Sequence, residues 1–218
     1  MNSDLGQLVL RINGAGSLLP GATRRNEINT WQAASEQGLA PPLLFVDSED
    51  HYLVSAYIDS DLPPQPQTNT AVIDQVFRLL EGCHQLEVVT PPIDYFSHIE
   101  HYWRLIQAGK NPVDPALVKQ RNPMLQALES LINSNTSRGL CHHDPVIQNF
   151  VGTIDRLYLI DWEYAATGLQ IMDYAALATE WQLDDLTVLE RTKYKSELFK
   201  QAKALYRYLC LLWENVST

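Results

Sequence analysis

The N-terminal third of the chain alternates short apolar segments with turn-forming residues, which is typical of β-strands. Residues 7–13 (QLVLRIN) predict one strand. Residues 42–47 (PLLFVD) and 51–58 (HYLVSAYI) predict two more, separated by a polar turn at Ser48, Glu49 and Asp50. The short turn indicates that the last two strands form a hairpin.

A helix is predicted between the first strand and the hairpin. Ile28, Trp31 and Ala34 recur at about helical spacing, polar residues occupy the intervening positions, and Gly38 supplies a stop. The glycines and proline of residues 14–22 predict a loop that leads into this helix.

Beyond residues 61–70, which contain three prolines, the apolar positions recur mostly at helical spacing. Proline cannot continue a sheet, so this segment is the predicted boundary between a strand-rich and a helical part. The predicted helices are 71–86, 94–109, 114–134, 171–183 and 187–215. One short β section, residues 149–161, interrupts them.

Composition narrows the class of protein. The 218 residues are 45% hydrophobic and 19% charged, as in ordinary globular proteins. The formal charge of -10 disfavours binding to nucleic acid and to anionic membranes. Three widely spaced cysteines do not form a disulfide framework, and no apolar run approaches the ~18 residues of a membrane helix. We therefore expect a cytoplasmic protein that binds neither nucleic acid nor membrane.

The densest polar cluster surrounds the β section. Asp144 and Asn149 lie in CHHDPVIQNF, and Asp161 follows the apolar segment LYLI. A loop carboxylate can accept a proton from a hydroxyl nucleophile, whereas an amide oxygen and a second carboxylate are ligands that Mg²⁺ prefers. These groups are what phosphoryl transfer requires. Taken singly, each residue is more often a turn cap.

The order of these residues resembles a known family pattern. CHHDPVIQN matches C-H-x-D-x-x-x-x-N, and LIDWEYAATGLQIMDYA matches I-D-W-E-Y followed by D-x-A. The sequence resembles the choline/ethanolamine kinase (thiamine kinase-like) branch of the aminoglycoside phosphotransferase superfamily. Shorter matches in LVLRING, RRNE and LLEGCHQL extend the resemblance over nearly the whole chain.

The resemblance implies an α+β, protein-kinase-like fold with two lobes. Residues 1–62 would form a partial, strand-rich N-lobe, and residues 63–218 a mostly helical C-lobe. The implied activity is ATP- and Mg²⁺-dependent phosphorylation of a small cationic alcohol. Choline or ethanolamine is the leading acceptor, and thiamine and aminoglycosides are the alternatives.

The resemblance also assigns roles to residues of the C-lobe. Asp144 and His142 would be the catalytic residues: Asp144 would orient or deprotonate the hydroxyl, and His142 would brace its loop. Asn149 and Asp161 would hold Mg²⁺. Asp173 would tie the catalytic loop to the following helix by hydrogen bonds.

Two further groups of residues are assigned in the same way. Residues implied to bind the nucleotide are Arg11, which would contact phosphate, Glu27, its helix partner, and Tyr57 and Ile58 beside adenine. Residues implied to surround the substrate are Glu163, Trp181 and Trp213.

The resemblance fails at the N-terminus. Family members have two strands and a glycine-containing loop before the strand that LVLRIN resembles, whereas six residues precede it here. We therefore expect a truncated N-lobe with an open strand edge, which a homodimer partner, another chain or a rearranged loop could cover. This departure leaves a second hypothesis open, a pseudokinase or ligand-binding module without turnover.

Overall fold

A computed structural model describes residues 2–3, 6–14, 22–109 and 112–217. Most of the predicted loop at residues 14–22 lies outside the described residues. None of the helices in these ranges combines the length and apolar character that a membrane crossing requires.

The N-terminal part contains an antiparallel sheet with strand order β1-β2-β4-β3. Its strands are β1 (Asn2–Ser3), β2 (Gly6–Ile12), β3 (Leu43–Val46) and β4 (Tyr52–Ala56). The three predicted strands and the β3–β4 hairpin are thus confirmed. β1 was not predicted, and it covers the edge of β2 only at Gly6 and Gln7. The homodimer stays a prediction.

The predicted helix after β2 is α1 (Arg24–Glu36). The Thr23 hydroxyl accepts a hydrogen bond from the Asn26 N–H, an arrangement that satisfies one of the free N–H groups of the first turn. Gly38 follows the helix with φ +70°, a conformation that glycine adopts without steric cost. Ile28, Trp31 and Ala34 are all buried, as their spacing predicted.

The rest of the chain is mostly helical. Its helices are α2 (Thr70–His84), α3 (Tyr95–Ala108), α4 (Pro115–Asn133), α5 (Gln170–Glu180), α6 (Asp185–Thr192) and α7 (Ser196–Ser217). The prediction of one helix over 187–215 is wrong. The chain leaves the helical conformation at Lys193, where φ is +59°, and α7 begins three residues later.

The prediction of a single β section among the helices is also wrong, because the described residues of this part form two small sheets. β6 (Phe150–Thr153) and β7 (Arg156–Leu159) form the predicted hairpin. β5 (Arg138–Cys141) pairs antiparallel with β8 (Ala166–Leu169), and residues 142–165 connect them. This second pair of strands brings the two segments that match the family pattern, the one that contains Asp144 and the one that contains Asp161, together at the start of α5.

α5 lies at the centre of the helical part. Every residue from Ile171 to Ala178 is buried, so the helix has no solvent-facing side over two turns. One of these buried residues is Asp173, whose burial requires hydrogen-bond partners.

The proline-rich segment runs alongside the β6–β7 hairpin. The Asp61 N–H donates to the Gly152 carbonyl at 3.0 Å, and the Asn69 side chain caps the start of α2. The division of the chain into lobes at residues 62 and 63 stays a prediction.

Candidate active site

Asp173 fixes the loop that follows β5. Its Oδ1 accepts from the His143 N–H at 2.8 Å, and its Oδ2 accepts from the His142 N–H at 2.9 Å and from His84 Nε2 at 2.9 Å. Burial alone would raise the pKa of Asp173, but His84 and the backbone donors outweigh it and lower the pKa to about 2. The predicted tie between the loop and α5 therefore exists, with His84 as an additional partner.

His142 braces the loop from inside the protein. Its Nε2 donates to the Ile160 carbonyl at 3.0 Å, and its ring packs edge-on against Trp162. Burial lowers the pKa of His142 to about 4, so the ring is neutral. The side chain is fully buried, as a bracing role requires, and the assignment of His142 to catalysis stays a prediction.

Asp144 follows the two histidines and is half-buried. Asn149 Nδ2 donates to both the Asp144 carbonyl and Asp144 Oδ2, each at 2.9 Å. Burial raises the pKa of Asp144 to about 6, Asn149 opposes the rise, and the charges of Asp161, Glu180 and Glu163 add to it. A carboxylate with this pKa is ionised at neutral pH and is a better proton acceptor than an ordinary aspartate.

The raised pKa of Asp144 predicts a pH-dependent effect on stability. Above pH 6 the folded protein keeps an unfavourable charge at this position, and below the unfolded pKa of 3.8 the carboxyl is neutral in both states. Asp144→Asn should therefore raise Tm at pH 8, and the gain should vanish as pH falls toward 4. Thermal unfolding of both proteins across this range measures it, and an equal difference at every pH would contradict it.

Asn149 and Asp161 present oxygen atoms near this carboxylate. The Asn149 amide nitrogen points to Asp144, and in the described part of the chain its Oδ1 accepts no hydrogen bond. Asp161 adopts a left-handed conformation with φ +66° at the end of the β6–β7 hairpin. Burial raises the pKa of Asp161, as does Glu163 beside it. A free amide oxygen among mutually repelling carboxylates is a donor set that suits a hard divalent cation.

The buried carboxylate of Glu27 holds two arginines close to Asp161 and Glu163. Glu27 is 2% exposed, and its two oxygens bind Arg11 Nη1 at 2.5 Å and Arg24 Nη1 at 2.8 Å. Arg11 Nη1 also lies 3.8 Å from Asp161 Oδ1, and Arg24 Nη1 lies 3.4 Å from Glu163 Oε2. The predicted Arg11–Glu27 pair is thus present. Arg24 was missed, although its position one turn before Glu27 on α1 is visible in the sequence.

A cavity of about 510 Å³ opens beside Asp144, between the start of α1, the segment before α3 and the C-terminal part of α7. Five carboxylates line it: Glu27, Asp144, Glu163, Glu180 and Glu214. Of the described residues, no Lys or Arg lines it. His98 adds no charge because burial lowers its pKa to about 4. Glu27 and Glu163 pair with Arg11 and Arg24, which do not line the cavity, so the five carboxylates outnumber these two cations and the potential in the cavity is negative.

Aromatic side chains form much of the remaining wall: Tyr95, Tyr102, Tyr164, Tyr206 and Trp213. The Tyr206 hydroxyl donates to Glu180 Oε1 at 2.9 Å, and Trp213 is 53% exposed. Glu163 and Trp213 therefore both line the cavity, and their contact with substrate stays a prediction.

Trp181 does not lie beside the cavity. It is 0% exposed, its Nε1–H donates to the Pro145 carbonyl at 3.0 Å, and its ring packs edge-on against Phe150. The prediction that Trp181 contacts substrate is wrong, because the side chain is part of the core beneath the loop that carries Asp144.

Tyr57 and Ile58 follow β4 directly. The Tyr57 N–H donates to the Gln7 carbonyl at 3.1 Å, and the Tyr57 ring is about half exposed. Their contact with adenine stays a prediction.

Sequence reasoning missed several residues of the site. Glu180 and Glu214 come from helices that meet only in the folded protein. His84 lies in LLEGCHQL, which was matched to the family without a role. Its hydrogen bond to Asp173 spans 89 positions of the chain, so local pattern could not reveal it.

Comparison with known proteins identifies the family. Residues 2–209 match the phosphotransferase enzyme family (APH) model. A choline/ethanolamine kinase family protein from Mesorhizobium loti is 24% identical, with a TM-score of 0.77 over 95% of this chain and 73% of that chain. Choline kinase LicA from Streptococcus pneumoniae is 23% identical, with a TM-score of 0.80 over 96% and 77%.

A microcompartment-associated aminopropanol kinase is 16% identical, with a TM-score of 0.69 over 97% of this chain and 78% of that chain. Comparison with curated proteins found no significant match. The structural likenesses establish a kinase-like fold, and the family match covers almost the whole chain. The chain therefore belongs to the phosphotransferase enzyme family.

Proposed function

We propose that this protein transfers the γ-phosphoryl group of Mg·ATP to the hydroxyl of a small cationic alcohol. The observation that carries the proposal is the cavity beside Asp144, which is lined by five acidic residues and, among the described residues, by no Lys or Arg. Such a cavity attracts a cation and disfavours an anionic acceptor.

Asp144 is the group that would handle the acceptor hydroxyl. Its carboxylate lines the cavity, and Asn149 holds one of its oxygens in place. The hydroxyl would donate to Asp144 and lose its proton there as its oxygen attacks the γ-phosphorus, while the bond from the γ-phosphorus to the bridging oxygen breaks and ADP leaves. The pKa of about 6 keeps Asp144 ionised at neutral pH for this role. The rate should therefore fall as pH drops through 6.

The groups around Asp161 suit the phosphates of the nucleotide. Glu27 holds the Arg11 guanidinium near Asp161, where the cation can pair with phosphate oxygens. Asn149 and Asp161 would hold Mg²⁺, which neutralises charge on the phosphates when it is bound. Tyr57 and Ile58 remain the proposed neighbours of adenine.

The cavity walls suit an ammonium group. Aromatic faces attract quaternary and primary ammonium ions alike, and carboxylates such as Glu163 and Glu180 add long-range attraction. Two of the structural neighbours are named a choline kinase and an aminopropanol kinase. We take choline or ethanolamine as the leading acceptor. A cavity of about 510 Å³ lies in the range of ordinary small-molecule sites, and thiamine and aminoglycosides are the alternative acceptors.

Thermal unfolding with candidate acceptors tests the acceptor class. With Mg·ADP present, choline or ethanolamine at 100 times its Kd should raise Tm by about 5 to 10 °C. The neutral isostere of choline, in which carbon replaces nitrogen, should raise it much less. Trp213→Ala should reduce the shift, whereas Leu211→Ala, on the same helix outside the cavity, should not. An equal shift with the neutral isostere would contradict recognition of a cation.

A further inference from the structure

His143 has an unusual conformation for its residue type. Its φ is +65°, a left-handed value that costs a side chain with a Cβ about 1 kcal/mol or more. The backbone that leads into it is nonetheless fixed, since Asp173 accepts hydrogen bonds from the N–H groups of both His142 and His143. The turn at His143 thus sets the direction in which Asp144 leaves the loop.

The side chain of His143 is held at both ring nitrogens. Nδ1 lies 3.1 Å from the Tyr164 carbonyl oxygen, which only accepts, so Nδ1 carries the proton. Nε2 lies 3.0 Å from the Tyr95 hydroxyl and, in the neutral ring, accepts from it. The Tyr95 oxygen in turn accepts from the Leu169 N–H at 3.1 Å. Each hydrogen bond in this series determines the direction of the next.

Strand β8 leaves room for the hydrogen bond between His143 and Tyr95, because it has a glycine beside it. A Cβ on Gly168 would lie 2.7 Å from His143 Nε2 and 2.7 Å from the Tyr95 hydroxyl oxygen. Any side chain at position 168 would therefore displace the hydrogen bond between His143 and Tyr95. Gly168 and Leu169 belong to β8, so the pair is anchored to a regular strand.

We propose that His143 is a positioning residue for phosphoryl transfer, and that Tyr95 and the Tyr164 carbonyl orient it so that Asp144 faces the acceptor hydroxyl. This inference rests on the proposed role of Asp144. Tyr95, His143 and Asp144 all line the cavity, so the hydrogen bonds connect the acceptor site to the catalytic loop. A small misplacement of a reacting group lowers the rate strongly, whereas nucleotide binding does not depend on it.

Kinetics of conservative variants test the proposal. Tyr95→Phe removes the donor to Nε2, and His143→Asn removes the acceptor while keeping an amide N–H near the position of Nδ1 and tolerating positive φ. Each should lower kcat about 10-fold with an unchanged KM for Mg·ATP. Because both changes break the same bond, the double variant should be no slower than the slower single variant. His143→Gln, which places an oxygen near the position of Nε2, should retain more activity than His143→Ala.

Tyr208→Phe is the matched control. It also removes a buried hydroxyl, the acceptor for Trp103 Nε1 at 2.9 Å, but Tyr208 does not line the cavity. It should lower Tm and leave kcat unchanged. If Tyr95→Phe behaved in the same way, or raised only the acceptor KM, the positioning role would be overturned.

Asp144→Asn separates this proposal from the proposed function. Loss of turnover in Asp144→Asn together with wild-type kcat in Tyr95→Phe and His143→Asn would overturn only the role of His143. Full turnover in Asp144→Asn would overturn the role of Asp144 and, with it, the reason for positioning it.

Discussion

Asp161→Ala is expected to abolish magnesium-dependent binding of nucleotide. The substitution deletes a charged oxygen ligand and leaves the Asn149 amide oxygen as the remaining proposed ligand. It also leaves Arg11, 3.8 Å from Asp161 in the native protein, with Glu27 as its acidic partner. Titration calorimetry with ATP, with and without Mg²⁺, measures the loss.

Asp155→Ala is the control for this experiment. Asp155 is an exposed carboxylate in the turn of the same β6–β7 hairpin, so its removal changes net charge equally without touching the site. It should bind Mg·ATP as the wild type does. Unchanged Mg·ATP affinity in Asp161→Ala would show that the metal assignment is wrong.

Asp144→Asn is expected to lower kcat by about 10² to 10⁴ fold, the usual contribution of a positioned general base. Asparagine has nearly the same shape and can still accept the hydrogen bond from Asn149, but it cannot take a proton at neutral pH. Folding and Mg·nucleotide affinity should therefore be preserved. Steady-state rates of ADP release with a saturating alcohol measure the change.

The pH profile gives this prediction a second readout. The wild-type kcat should fall as pH drops through about 6, following the pKa of Asp144, whereas the residual rate of Asp144→Asn should lack that step. Bound Mg²⁺ would shift the step to lower pH without changing its direction. Wild-type turnover by Asp144→Asn would remove Asp144 from the mechanism.

The parts of the site that local sequence determines were predictable. Asp144 and Asn149 are five residues apart in one loop, and their hydrogen bonds close within it. Asp161 ends a hairpin whose turn and apolar strands are evident in the pattern. The helix that carries Glu27 was likewise evident from the spacing of Ile28, Trp31 and Ala34.

The incorrect sequence predictions concern features that tertiary packing determines. Aromatic residues on helices can line a cavity or fill the core, and the sequence does not distinguish Trp213, which lines the cavity, from Trp181, which is buried. β5 and β8 are four residues each and pair across a long connection, so neither has a local signal. Lys193 ends α6 in a left-handed conformation that a lysine rarely signals.

Product analysis tests the central claim most directly. The protein is incubated with Mg·ATP and, separately, with choline, ethanolamine, thiamine or an aminoglycoside, and phosphomonoester and ADP are quantified by ³¹P NMR. We predict that at least one cationic alcohol is phosphorylated, with one ADP formed for each phosphomonoester, and that Asp144→Asn loses this product. Nucleotide binding without phosphomonoester from any of these alcohols would contradict the account and favour a ligand-binding module.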